Sequence, residues 1–397
     1  MLEQMRVLSF SHWLQGPAAS QYLGDMGADV IKVEPLEGAF ERRFSPAGAY
    51  VDGHSSSLLA ANRNKRSIAI DLKHPKAKRI IHRLVETIDV VTENYRVGVL
   101  DRLGFGFKDL QQTKPNLIYA SATGWGVNGP MVQEPGQDLL AQARTGLIAA
   151  TGDLATLPSS VGATIVDQHG GALLALGILA AYVKRLATGE GTRVESSLLT
   201  SAIDLQAETL THFFARRATR ANIERDPHIG LWFSDAPYGV YRLCDAHIAV
   251  SAGGTFEDLP RLLGIPELAE LGPDGRKTRR NEYAKLFAAK LETMTFDEVA
   301  AVLTSQGIWF SRVQSYDDLP DDPQIAAIGA LTRVPVGEAQ ATLVTHPIRY
   351  DGEVCPVRHL PLALGGSTRA VLQEAGYTED EIAALAAEKA IGVADPD

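Results

Sequence analysis

The chain has 397 residues, its 38 Lys and Arg against 48 Asp and Glu give a net charge of −10, and 45% of its residues are hydrophobic. That length is a prior for two or three domains with ample chain for a core, and the composition excludes disorder, fibrous repeats and a single small module. The acidic balance argues against general nucleic-acid affinity, which needs a basic face.

The two cysteines, Cys244 and Cys355, form no CxxC pair and no disulfide framework, so a reducing compartment is the simpler reading. The start MLEQMRVLSF lacks the basic and apolar regions of a signal peptide, and a cytoplasmic protein is expected.

In chain order, MRVLSF reads as a strand, GPAASQYLGDMG as a helix after a Gly-Pro punctuation, and ADVIKVE as a second strand. This βαβ unit predicts a parallel sheet with its ligand crevice at the carboxyl ends of the strands. The pattern repeats: SIAIDL is a strand, PKAKRIIHRLVETI an amphipathic helix with Pro75 at its start, DVVTENY a strand, LDRLGFGFKDLQQTKP a helical segment and NLIYASATG a strand. The longest apolar stretch, Gly170 to Val183, falls short of the roughly 20 residues a membrane span needs and reads as a buried core helix. RVESSLL is strand-like, and the charged segment around Arg216 to Asp226 reads as linker. Then GVYRLCDAHIAVSAG predicts a β-hairpin, and FEDLPRLLG, NEYAKLFAAKL and TFDEVAAVLTSQG predict helices of a second, smaller α+β domain. A helical tail, TEDEIAALAAEK, closes the chain.

Three segments carry candidate chemistry. Nicotinamide binding fits Glu34 at the end of the second strand, but SHWLQGPAAS replaces the GxGxxG turn and Pro17 removes a backbone N–H, so no nicotinamide is expected. Positions 62 to 83 hold Arg63, Lys65, Arg66, Lys73, Lys76, Lys78, Arg79 and Arg83 against Asp71 alone. Such a block is either a solvated face or an electrostatic site for a polyanionic small ligand, to which Arg96 and Arg102 could add. Without interleaved stacking aromatics it does not suit nucleic acid. Asp167 stands where a β-like run meets the long apolar helix, flanked by Gly170 and Gly171. It reads as an N-cap or as a carboxylate nucleophile, held ionised at neutral pH by the helix dipole. The ten histidines form no metal-ligand spacing, so no metal is expected, and no GxSxG or GxxxxGK[ST] motif occurs.

In this order, RVLSFSHWLQGP, LGDMGADVIKVEP, NRNKRSIAIDLKHP, ENYRVGVLDRLGFG, LIYASATGWGVNGP, the Asp167 segment, ATGEGTRVESSLL, PYGVYR and LGGSTRAVLQEAGYTEDEI resemble the class III CoA-transferases, the formyl-CoA and carnitine CoA-transferase family, along nearly the whole chain. The resemblance implies an α/β fold with a Rossmann-like large domain built from both chain ends, a smaller α+β domain, and two ring-shaped subunits interlocked as a homodimer. The expected division is 1–215 for the amino-terminal part of the large domain, 216–236 as linker, 237–322 for the small domain and 323–397 returning to the large one.

By the same resemblance Asp167 is the nucleophile, coenzyme A enters as the acyl-CoA substrate, and Gln15 faces the thioester end. Ile70 and Lys73 lie near the nucleotide, while Asn94, Tyr95, Arg96 and Arg102 follow the pyrophosphate and adenosine. Backbone N–H groups near Gly170 and Gly171 would stabilise oxyanions. Gln137 and Asp138 are placed near the substrate.

Two departures qualify this. The related alpha-methylacyl-CoA racemases pair the aspartate with a histidine about thirty residues upstream, where this chain has Gln137, and glutamine supplies no second base. The glycine run that precedes PYGVYR in formyl-CoA transferases is replaced by HIGLWFSDA, whose Trp232 and Phe233 hint at a larger or more apolar acid than oxalate. A racemase and a CoA-binding protein without turnover remain the alternatives to a CoA-transferase acting on an organic carboxylate, with no nucleic-acid or membrane partner.

Overall fold

In the computed structural model, residues 1–152, 157–253 and 256–394 are described. They divide into two compact units, one of residues 1–145, 162–205 and 323–397, the other of 146–161 and 206–322.

The first unit is built on strands β1 (Arg6–Phe10), β2 (Asp29–Glu34), β3 (Lys65–Ile70), β4 (Val90–Glu93), β5 (Ile118–Thr123) and β6 (Thr192–Ser197). Their order in the sheet is β3-β2-β1-β4-β5-β6, all parallel, with the short strand Ile391–Gly392 added antiparallel on the β3 edge. This is the doubly wound order whose reversal beside β1 opens a crevice at the carboxyl ends of β1 and β4.

Because successive residues of a strand face opposite sides, each face acquires its own core. Leu8, Phe10, Ile31, Ile68 and Val91 pack with α3 (Ala77–Val85) and the carboxyl-terminal Val371, Leu372 and Ile382 on one face. Val7, Val30, Val90 and Ile118 pack with α1 (Gln15–Asp25) and the long α7 introduced below on the other. Strands covered on both faces read as continuous apolar runs, which is why they stood out in the sequence.

Between these, α2 (Phe40–Arg43) follows β2, and the helical segment after Tyr95 is broken into α4 (Val99–Leu103) and α5 (Phe107–Thr113). Gly104, at φ +80°, ends α4, since a glycine adopts the left-handed region without a Cβ clash. Helices α6 (Asp138–Arg144), α7 (Ile165–Thr188) and α8 (Leu198–Asp204) complete the site-bearing part.

The apolar stretch expected at Gly170 to Val183 is part of α7, which spans 24 residues and is long and apolar enough to cross a membrane by length and composition. It is not buried all round: Val166, Gly170, Gly171, Leu174, Ala175, Ile178 and Ala181 form a buried stripe at helical spacing, while Leu176, Val183 and Leu186 are exposed. The stripe packs on the sheet and on α1, as a helix of an α/β domain does.

The second unit carries the antiparallel strands β7 (Gly239–Arg242), β8 (His247–Ser251) and β9 (Trp309–Arg312), ordered β9-β8-β7. Tyr241, Phe287, Leu291, Val299 and Leu303 fill its core. The segment expected as linker, 216–236, differs from a free connection. It contains the helix Arg220–Ile223, and the unit boundary falls earlier, after Leu205, because the helix Ala207–Ala215 belongs with the second unit. Trp232 is buried against Phe213 and Phe233, so its indole serves the packing of this unit and is not displayed to a substrate.

Candidate active site

Helix α7 begins with four N–H groups that have no partner within the helix, and its N-cap residue, Thr164, makes no side-chain cap. Asp138, the first residue of α6, supplies the missing acceptor. Its Oδ2 receives the N–H of Val166 at 2.7 Å and of Asp167 at 2.9 Å, and its other oxygen is held by Gln142. Asp138 is 6% exposed. The N-cap reading of Asp167 is therefore corrected, since Asp138, from a different helix, caps α7.

Asp167 instead lies in the first turn of α7, and the backbone N–H of Gln15, the first residue of α1, faces its carboxylate and favours the ionised form. Two helix amino termini thus meet at one carboxylate. The expectation that it stays fully ionised is also corrected. Burial, reinforced by the neighbouring Asp138 charge, pushes its pKa up to about 7, and the Gln15 N–H only partly offsets this.

The approach of α1 to α7 requires glycine. A Cβ at Gly170 would come within 2.6 Å of Gln15 Nε2, and one at Gly171 within 2.8 Å of Ala18 Cβ. These glycines serve helix packing, and beside them the side chain of Gln15 is enclosed. Its side chain is 4% exposed, and Nε2 is buried without a hydrogen-bond partner. An unspent buried donor beside a carboxylate is costly in a resting protein and useful in one that develops negative charge there.

The ENYR segment is engaged with the turn after β1. Asn94 clamps the turn after β1, its Oδ1 accepting the N–H of His12 at 2.8 Å and its Nδ2 donating to the carbonyl of His12 at 2.7 Å. Tyr95 Oη meets His12 Nε2 at 2.9 Å, and burial holds that imidazole neutral, with a pKa of about 4. Burial also raises the Tyr95 phenol to about 12. Asn94 and Tyr95 therefore shape the loop that carries Gln15. Arg96 and Arg102 are exposed, as is Lys73, whereas Ile70 is fully buried in the core and can offer a ligand only its backbone. Gln137 is exposed at the N-cap of α6. Sequence reasoning missed Glu93, at the end of β4, which accepts the Tyr95 N–H at 2.9 Å and which burial pushes up to about 7. Its position at a strand's carboxyl end was the available signal.

Five cations of the basic block are paired within the fold, while Lys73, Lys76, Lys78 and Arg79 are exposed. Arg63 pairs with Asp25 at 2.7 Å, Lys65 is buried on the carbonyls of Pro17 and Ala61, and Arg66 pairs with Asp29 and Glu374. Lys76 pairs with Glu388, and Arg83 binds the carbonyls of Ala375 and Gly376 over the Tyr377 ring. Among the described residues, no group of three or more His, Cys, Asp or Glu is arranged to hold a metal ion.

A half-buried carboxylate at the start of α7, close to the switch point of a doubly wound sheet, is where an α/β fold of this kind takes a small-molecule ligand. The chain belongs to the CoA-transferase family III, which it matches over residues 2–368, and it is a CoA-transferase moving CoA between acyl-CoAs and carboxylates. It is 30% identical to the succinyl-CoA:glutarate CoA-transferase of Mus musculus over 94% of this chain and 86% of that one. It is 32% identical to a probable fatty acyl-CoA transferase of Mycobacterium tuberculosis over 88% of this chain and 91% of the relative. A CAIB/BAIF family protein from Brucella suis superposes with a TM-score of 0.81 at 28% identity, covering 94% of this chain and 98% of that structure.

Proposed function

We propose that Asp167 carries CoA as a covalent thioester while two acids exchange places. Its carboxylate attacks the thioester carbonyl of the donor, giving a mixed anhydride and CoA thiolate. The thiolate attacks the aspartyl carbonyl, forming aspartyl-CoA and releasing the donor acid. An acceptor carboxylate then attacks aspartyl-CoA, and the returning thiolate takes the acceptor's acyl group, freeing Asp167. Each intermediate keeps an activated acyl bond, so one difficult exchange is divided into easier steps.

The observation that carries this reading is the strained charge of Asp167. Burial and the Asp138 carboxylate disfavour its ionised form, and acylation removes that charge, so the same forces favour the covalent state. Gln15 Nε2, buried and unpartnered, suits the oxyanion that develops at the attacked carbonyl. The exposed Lys73, Arg96 and Arg102 suit the CoA phosphates, and the backbone of Ile70 the nucleotide. The acceptor is an organic carboxylate, such as a dicarboxylate or hydroxy acid, and glutarate is the one named for the mouse relative. The exposed Leu176, Val183 and Leu186 of α7 suit a homodimer of the interlocked kind, working in the cytoplasm.

The test is to incubate the protein with a panel of acyl-CoAs, quench in hydroxylamine and map peptides by mass spectrometry. A hydroxamate at Asp167 is expected. Its absence with every donor, while CoA still binds, would leave a binding protein or a racemase. The latter reading lacks a second base at Gln137.

A further inference from the structure

Three aromatic side chains from the turn after β1 and from the segment of α2 have no part in the chemistry derived above. The ring of Trp13 lies 4.7 Å from that of Phe40 and 6.0 Å from that of Phe44, and Phe40 and Phe44 are 5.0 Å apart. Trp13 is 51% exposed, Phe40 45% and Phe44 40%. Three touching aromatic rings left open to water form an apolar patch that a folded protein rarely displays without an occupant.

The display is imposed by the backbone. Trp13 has φ +63°, a left-handed conformation that a bulky side chain rarely adopts. Asn94 holds it there by gripping both backbone groups of the preceding His12. Trp13 stands two residues before Gln15, so their Cα atoms are at most about 7 Å apart, and Gln15 packs on the start of the helix that carries Asp167, its Nε2 lying 2.6 Å from where a Cβ at Gly170 would stand. The patch therefore begins two residues from the side chain that meets the first turns of the Asp167 helix.

The charges around it are mostly neutralised. Glu41 is buried against Lys32 at 2.7 Å, Arg42 is spent on Glu34 and the carbonyls of Pro361 and Leu362, and the His12 imidazole is neutral. Arg43 is the exposed cation of α2.

Resting on the reading of Asp167 as nucleophile, we infer that Trp13, Phe40 and Phe44 are the platform for the acyl group of the donor thioester, and that this group is apolar, a medium-length aliphatic chain or an aryl ring. A dicarboxylic acyl group would carry its free carboxylate over these rings at a desolvation cost, unless Arg43 met it.

The experiment compares hexanoyl-CoA with succinyl-CoA as donors, reading kcat/KM for Asp167 hydroxamate formation in wild type, Trp13→Gly, Phe44→Ser and Arg43→Ala. Glycine suits the Trp13 backbone, so that variant keeps its fold. Wild type is expected to prefer hexanoyl-CoA, and Trp13→Gly and Phe44→Ser to lower the hexanoyl-to-succinyl ratio about tenfold. An unchanged ratio with hydroxamate still forming overturns the platform and leaves the nucleophile standing. A preference for succinyl-CoA that Arg43→Ala abolishes overturns the apolar assignment. If no donor labels Asp167, the nucleophile reading fails, and calorimetry of hexanoyl-CoA decides the platform: weaker binding to Trp13→Gly supports it and equal binding overturns it.

Discussion

The basic block of residues 62–83 and the junction of α1 with α7 make opposite use of charge. The block holds eight cations, yet Arg63, Lys65, Arg66, Lys76 and Arg83 are each satisfied by carboxylates or carbonyls of the fold. The junction holds two carboxylates, Asp138 and Asp167, and an amide, Gln15, whose donor is buried without a partner. Dense charge at the block is spent on structure, whereas sparse charge at the junction is left partly unpaid. Reactivity belongs where polar groups remain unsatisfied, since a fully paired ion has nothing to give a ligand.

This contrast breaks most sharply at Asp167. Asp167→Asn is expected to lower transfer by at least about 10⁴-fold, measured as steady-state turnover. The same change is expected to stabilise the fold by about 1–2 kcal/mol above pH 7, read by chemical denaturation. A carboxylate whose folded pKa of about 7 exceeds its unfolded value contributes stability at low pH that is lost as pH rises from about 4 to 7. The gain on substitution accordingly vanishes in acid.

At the block, Arg63→Ala should cost about 3–5 kcal/mol, because Asp25 is left buried without its partner. Its KM for acyl-CoA, measured on the folded protein, should stay unchanged. A raised KM with intact stability would return the block to the binding site.

The pH profile sharpens the junction. On the proposed mechanism the ionised Asp167 attacks, and kcat/KM should fall about tenfold per unit as pH drops below about 7. Asp138→Asn removes the repelling charge and should move that midpoint downward, with a cap loss of about 1 kcal/mol in stability. A midpoint that stays in place would assign the profile to another group, Glu93 being the alternative. The smallest effect is expected at the exposed cations. Arg102→Ala should weaken CoA binding by about 1 kcal/mol by calorimetry, as solvated charges do.

The strands and α1, α3 and α7 were legible because their apolar periodicity is local and each is buried by the same sheet. The break at Gly104 was written in the chain too, but a glycine inside a helical pattern has more than one meaning until the turn is seen. Asp167 stood out as a lone acid opening an apolar helix, and its identity as the family's nucleophile came from the resemblance of the surrounding segments.

The sequence by itself determined the parallel α/β class, the cysteine-poor and motif-free exclusions, and the candidate carboxylate. Only the tertiary structure decided which charges are free. It paired Arg63, Lys65, Arg66, Lys76 and Arg83 within the fold while leaving Lys73 exposed, gave the cap of α7 to Asp138, 29 residues upstream of Asp167, made Asn94 a loop clamp and exposed the rings of Trp13, Phe40 and Phe44. The physical reason is that pairing, desolvation and display depend on partners distant in the chain. A residue's type sets what it can donate or accept, and only the fold sets whether anything is left to do so.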